Sequence, residues 1–142
     1  MDNNIIKVEM ENLEGYKFKV KFDKESMGEI ITDETKEVGG EGEGPNPSRL
    51  LAASTLNCLM ASLIFCLKKK KVELSSLEGE VTGKIERVDK RLRVTEFDVK
   101  IDPGIDEEDK EKLKKCIDIF ENYCVVTQSI KNGIDVNVDV EV

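Results

Sequence analysis

One stretch constrains this chain more than any other, the apolar run from Leu50 to Leu67. Asn46-Pro47 opens it as a helix start: asparagine is a good N-cap, and proline at the first helical position gives up an N–H that would have no partner there anyway. Leu50, Leu51, Leu56, Leu59, Met60, Leu63, Ile64, Phe65 and Leu67 then fall on every side of a 3.6-residue period rather than along one stripe. Such a helix must be covered all round. A chain of 142 residues has too few other elements to do this, so a second copy is expected to cover it, giving a homodimer. A membrane span is the competing reading of the same run. Ser54, Thr55, Asn57 and Ser62 sit mid-helix, the rest of the chain is patterned as a water-soluble domain, and Lys68 to Lys71 suit the negative end of a helix dipole, so no membrane partner is expected.

The elements around that helix can be read from periodicity. Tyr16, Phe18, Val20 and Phe22 alternate with Gly15 and lysines as in a half-buried strand, with 5–10 as a hairpin partner and 29–32 as a further short strand. Gly39-Gly40-Glu41-Gly42-Glu43-Gly44-Pro45 must be a loop. Past the helix, 79–88 and 92–101 read as strands. Asp102-Pro103-Gly104 breaks the chain, acidic Asp106, Glu107 and Glu108 open a second helix, and Leu113, Cys116, Ile117, Phe120 and Cys124 recur along it at helical spacing. The clearest strand is the last: Ile134, Val136, Val138, Val140 and Val142 alternate without a fault against Asp135, Asn137, Asp139 and Glu141. The order predicts an α+β fold in one domain spanning 1–142.

Charge and composition narrow the chemistry. Thirty acidic against 22 basic residues give a net charge of −8, which repels phosphate backbones, so no nucleic-acid partner is expected. The chain has no histidine, which excludes histidine-dependent triads and removes the commonest metal ligand. Gly40-x-Gly42-x-Gly44 lacks the dinucleotide-binding spacing, and Glu41 and Glu43 beside it would repel a pyrophosphate. Neither a cofactor nor a metal is expected. Met1-Asp2-Asn3-Asn4 shows neither the basic segment nor the apolar stretch of a signal peptide, so the expected compartment is the cytoplasm, with its reducing conditions.

Four cysteines carry what chemistry remains, Cys58, Cys66, Cys116 and Cys124. None forms a C-x-x-C pair, so zinc-ribbon and thioredoxin-type spacings are absent. Eight residues on one helix span about 12 Å, beyond the roughly 7 Å between bridged Cα atoms, so neither helix can bridge its own two cysteines if the second helix runs on. An intrachain bridge must therefore join the helices, as Cys58 with Cys124 and Cys66 with Cys116, or crossed.

The segment from Gly39 through Asn46-Pro47 to Asn57-Cys58 resembles the signature of the OsmC/Ohr family, in which a glycine-rich loop and an Asn-Pro turn open a long buried helix bearing the first reactive cysteine. Glu121-Asn122-Tyr123-Cys124-Val125-Val126 is similar to the family's second cysteine motif. The resemblance implies an OsmC-like fold, with antiparallel sheets packed around a long buried central helix, in an intertwined homodimer with sites at the subunit interface. It also implies a thiol-dependent organic hydroperoxide reductase for oxidative stress defence. Cys58 attacks the peroxide, Cys124 resolves the sulfenic acid as a disulfide, and an external dithiol reductant restores the pair. On this reading Cys66 and Cys116 are core positions and remain free thiols.

The sequence departs from the family at the activating groups. Family peroxidases carry a glutamate directly after the loop proline, paired with an arginine on the early hairpin; here the position is Ser48, and no arginine precedes Arg49. Val125 stands where a proline commonly follows the second cysteine. These departures place the chain among the less characterised OsmC-like proteins. Arg49 is the candidate substitute cation, although nine residues of helix put it roughly 13.5 Å from Cys58 along the axis and on the opposite side, so contact requires a partner subunit or a bent helix start. The alternative function is a catalytically silent dimer that binds a small apolar or thiol-containing ligand at its interface cleft.

Overall fold

The computed structural model describes residues 5–142; Met1–Asn4, on which the expectation about export rests, lie outside the described residues. It combines antiparallel sheets with one long helix, the α+β class expected. Two compact units divide the chain at residue 51.

In the first unit the alternating apolar residues form a three-stranded antiparallel sheet, ordered β1 (Val8–Asn12), β2 (Phe18–Phe22) and β3 (Glu29–Thr32). Met10 pairs with Val20, and Val20 with Ile30, which keeps one parity of all three strands on a single face. The β1 strand starts later and runs further than the expected 5–10, because the Asn12 side chain donates to the carbonyls of Gly15 and Lys17 and so closes the turn beyond it.

The glycine-rich loop wraps a carboxylate. Asp33 is buried and accepts N–H bonds from Glu34 at 2.8 Å, Glu43 at 3.1 Å and Glu41 at 3.2 Å. Lys17 pairs with Glu43 at 2.9 Å and also with Glu41. Gly40 passes so close that a Cβ there would collide with the Glu34 carbonyl and the Asp33 carboxylate. Burial pushes the Asp33 carboxyl up, but the three N–H groups and the Lys17 charge outweigh it and hold it below the usual carboxylate range. The repulsion that argues against a pyrophosphate here is met internally by Lys17.

The apolar run is α1 (Pro47–Lys69), and Asn46 caps it by accepting the Arg49 N–H at 3.1 Å. It is buried along one stripe, Thr55, Leu59, Leu63 and Leu67, at i, i+4 spacing. Ile64 and Phe65 remain exposed, Phe65 at 54%, so one chain leaves the other sides uncovered as expected.

In the second unit, β4 (Ser76–Val88) and β5 (Arg91–Gly104) form a long antiparallel hairpin with a register shift at Lys84/Ile85. Gly79 lets β4 approach α1: a Cβ there would meet Met60 Sδ at 2.9 Å and Leu56 Cδ1 at 3.1 Å. The core gathers Leu63, Leu67, Val72 and Cys116, with Cys66, Leu77, Ile101, Leu113 and Phe120 packed around them.

Three expectations are corrected in this unit. The second helix does not run through to Cys124: α2 (Lys110–Ile119) gives way to a 3₁₀ turn at Phe120–Tyr123, and α3 (Val125–Asn132) begins afresh. Residues 134–142 form no strand, because their alternation pairs with no strand edge among the described residues; Val136 and Val138 are 78% and 79% exposed. Cys66 and Cys116 are not free thiols but a disulfide, their Cα atoms 5.9 Å apart, because α1 and α2 pack side by side at that level of the core.

Two outcomes follow from this packing. The bridge closes a loop of 50 residues, so Cys66→Ala should lower stability by about 2–4 kcal/mol in denaturant unfolding without reductant. Asp33→Ala should accelerate hydrogen exchange at the Glu41 and Glu43 amides at least tenfold at neutral pH. A carboxyl held below its unfolded value stabilises above that value and loses its effect as pH falls through the folded one, so the wild-type protection should persist to about pH 4 and decline only in stronger acid.

Candidate functional site

Two helices bring two sulfurs together. Cys58 lies mid-way along α1, half-buried, three residues after buried Thr55. Cys124 is fully buried and is the N-cap of α3, with extended backbone at φ −79° and ψ 105°. The break after Ile119 makes this possible, since a continuous helix would have committed the Cys124 backbone to the helical conformation and removed it from the capping position. The turn is secured from both sides. Glu121 pairs with Lys131 at 2.9 Å, and Gln128 Nε2 donates to the Glu121 carbonyl at 3.2 Å, so α3 folds back over the turn that precedes it.

The two free thiols, Cys58 and Cys124, lie within hydrogen-bond reach of each other. The opening of α3 serves both. Thr127 N–H donates to Cys124 Sγ at 3.4 Å, and Thr127 Oγ1 lies 2.9 Å from the same sulfur. The N–H groups of Val126 and Val125 act on Cys58. Burial pushes the Cys58 thiol up, its bond with Cys124 pushes it further, and the two valine N–H groups only partly offset this. Burial also acts to raise Cys124, but Cys58 and Thr127 as donors, with the Val126 N–H, outweigh it and hold Cys124 below the usual thiol range.

A cavity of about 310 Å³ lies between α1, α2 and β5, lined by Leu59, Leu63, Val99, Ile101, Leu113 and Phe120 among others. Leu59 follows Cys58 directly, and Glu121, also in the lining, precedes Cys124 by three residues.

The sequence paired Cys58 and Cys124 only through the family resemblance, and the structure brings them together. Arg49, the third candidate, is engaged at the start of α1, where its Nη1 donates to Asn46 Oδ1 at 3.1 Å. Thr127 was missed. Its signal was the spacing Cys124-Val125-Val126-Thr127, a capping residue followed three positions on by its donor, hidden because helical periodicity continued across the break.

The OsmC-like protein family matches residues 40–139, a span that takes in the loop, both cysteine pairs and all three helices. The chain belongs to that family. An uncharacterized protein of Acinetobacter baylyi is 29% identical over 112 residues, covering 74% of this chain and 72% of that protein. Among solved structures, a hypothetical protein from Aquifex aeolicus superimposes with a TM-score of 0.72 at 24% identity, covering 91% of this chain and 89% of that one. An OsmC-like protein of unknown function from Vibrio cholerae gives 0.73 at 13% identity, covering 89% and 93%. An organic hydroperoxide resistance protein from Legionella pneumophila gives 0.68 at 16% identity, covering 92% of each. Helix α1 is long and apolar enough to cross a membrane by length and composition, but in this family fold it is the core helix of a soluble OsmC-like protein.

With reductant absent, a thiol-alkylating reagent should label Cys58 and Cys124 while leaving Cys66 and Cys116 unlabelled. Peptide mapping without reduction should recover the last two as one bridged fragment.

Proposed function

We propose that this protein is a thiol-dependent organic hydroperoxide reductase in which Cys58 attacks and Cys124 resolves. The observation that carries the reading is the meeting of these two free thiols at the opening of α3, in a family with relatives named for hydroperoxide resistance. Cys58 sulfur, as thiolate, attacks the terminal oxygen of the hydroperoxide. The O–O bond breaks, an S–O bond forms, and the alcohol leaves after taking one proton. Cys124 sulfur then attacks the sulfenic acid, forming the disulfide and releasing hydroxide, which becomes water. A dithiol reductant transfers two electrons and two protons to reopen the bond. The apolar walls of the 310 Å³ cavity suit an alkyl or aryl tail and favour organic peroxides over hydrogen peroxide.

The protein acts as a homodimer in this reading. Exposed Ile64 and Phe65 on α1, and the unpaired alternating segment 134–142, are surfaces that a second copy would cover. The proposed compartment is the cytoplasm, where dithiol reductants are maintained. Arg49 is given no step, because its guanidinium already serves Asn46.

Reduced protein mixed with one equivalent of cumene hydroperoxide should lose two thiols and form the Cys58–Cys124 disulfide. Cys58→Ser should abolish this, and Cys124→Ser should leave trappable sulfenic acid on Cys58 and stop multiple turnover. Arg49→Ala should change the first step by less than about threefold, whereas a tenfold loss, about 1.4 kcal/mol, would return Arg49 to the chemistry. No peroxide-dependent thiol loss in wild type beyond that of Cys58→Ser would sink the enzyme and favour the silent, ligand-binding dimer, for which the cavity is the specific support. Sedimentation at micromolar concentration should show a dimer, and Val136→Lys with Val138→Lys should raise its dissociation constant at least tenfold.

A further inference from the structure

The β4–β5 hairpin runs on past the core that covers its base. Position 79 of β4 faces α1, where a Cβ would meet Met60 and Leu56, and positions 81, 83 and 85 share that face. The register shift at Lys84/Ile85 gives β5 one extra residue, so the same face passes from Val99 and Phe97 to Val94 and Leu92. Val81, Phe97 and Val99 are half-buried, but Ile85 and Leu92 are 54% and 59% exposed. The apolar face thus outruns what this chain lays against it. On the opposite face of the same end, Glu86 pairs with Arg93 and Val88 with Arg91 in the strand register. Three of the four arginines, in a chain of net charge −8, fall between 87 and 93. Among the described residues neither Arg91 nor Arg93 enters an ion pair, whereas Lys84 pairs with Glu96 at 3.0 Å and also feels the charge of Asp98.

Residues 134–142 carry the complementary pattern. Ile134, Val136, Val138, Val140 and Val142 fall on one parity, and Asp135, Asp139 and Glu141 on the other. These carboxylates enter no ion pair among the described residues, and the segment belongs to no sheet. Laid beside β5 as a strand, it satisfies both faces at once: the valines continue the Leu92 and Val94 face, and the carboxylates lie beside Arg91 and Arg93. A slip of one residue would reverse both matches, so the register is specified. The other open edges offer like charge instead. Strand β1 carries Glu9 and Glu11, β3 is four residues long and begins with Glu29, and the outer face of β4 carries Glu78, Glu80 and Glu86.

Deepening the homodimer reading, we propose that residues 134–142 of one copy add as a strand to the open edge of β5 in a second copy, with their carboxylates on Arg91 and Arg93. In its own chain the segment is unpaired and so is that edge, and a two-fold arrangement joins them twice. The backbone N–H and C=O groups of the edge supply the affinity, and the two faces supply the choice of partner.

The test reverses the two sets of charges separately. Arg91→Glu with Arg93→Glu, and Asp135→Lys with Asp139→Lys, should each raise the dimer dissociation constant at least tenfold in sedimentation, because each sets like charges side by side. Mixed in equal amounts, the two variants should associate to within about threefold of wild type, since both contacts of the mixed dimer then join opposite charges. That recovery also shows both variants to be folded. Hydrogen exchange across 134–142 should be at least tenfold slower in the wild-type and mixed dimers than in either variant alone. Variants that dimerise as tightly as wild type, or a mixture that stays monomeric, would overturn the proposal. Recovery only when all four changes share one chain would overturn it as well, by placing the strand on its own hairpin. A monomeric wild type would instead remove the homodimer reading on which the proposal rests, so the two failures are told apart.

Discussion

The packing of one stripe of α1 positions the rest of the larger unit. Leu63 and Leu67 lie at the centre of its core, with Val72 beyond the helix and Cys116 from α2 closing over them. Burying two leucines and a valine contributes roughly 5–8 kcal/mol, and the direction of the stripe fixes what else can approach. The β4–β5 hairpin comes in at Gly79 because a side chain there would strike Met60 and Leu56. Helix α2 lies alongside at the level where Cys66 meets Cys116. With α2 so placed, the chain that follows it turns at Phe120–Tyr123 and delivers Cys124 to Cys58.

Much of this was legible in the sequence wherever a local rule acted alone. Asn46-Pro47 marked the start of α1, since capping is decided by the residues at the cap. The early strands followed from alternation around Val20, and the long hairpin from two alternating runs. Two failures have a common cause. Periodicity records which residues are apolar, not what covers them. The alternation of 134–142 describes a strand with one face to bury, yet strand formation also requires pairing with a neighbouring edge, and this segment pairs with none of the open edges of β1, β3, β4 and β5. Likewise Leu113, Cys116, Phe120 and Cys124 keep helical spacing across a break that the backbone makes at Ile119. The break was invisible, and with it the capping role of Cys124 and the part of Thr127.

The relation between fold and site in this family can be stated in physical terms. A shared architecture fixes where two sulfurs meet; it does not fix how one of them is deprotonated. Where family peroxidases use a carboxylate and a guanidinium, this chain has Ser48 and an arginine occupied by Asn46. What it offers instead comes from the backbone, the N–H groups opening α3, supplemented by one hydroxyl. Dipoles of this kind require no counter-charge and no histidine, and they bias whichever sulfur lies nearer the helix axis.

The Cys66–Cys116 bridge has a mechanical consequence. It clamps α2 to α1 only three residues before α2 ends at Ile119. One jaw of the thiol pair, α1 with Cys58, is therefore fixed to the scaffold by covalent bond as well as by packing, and so is nearly all of α2. The other jaw, Cys124 with α3, is joined to that clamp by the 3₁₀ turn alone on its N-terminal side. Any travel of the two sulfurs between hydrogen-bonded and bonded distances falls on the chain beyond the clamp, where Phe120 is packed against the core and Glu121 is held by Lys131 and Gln128.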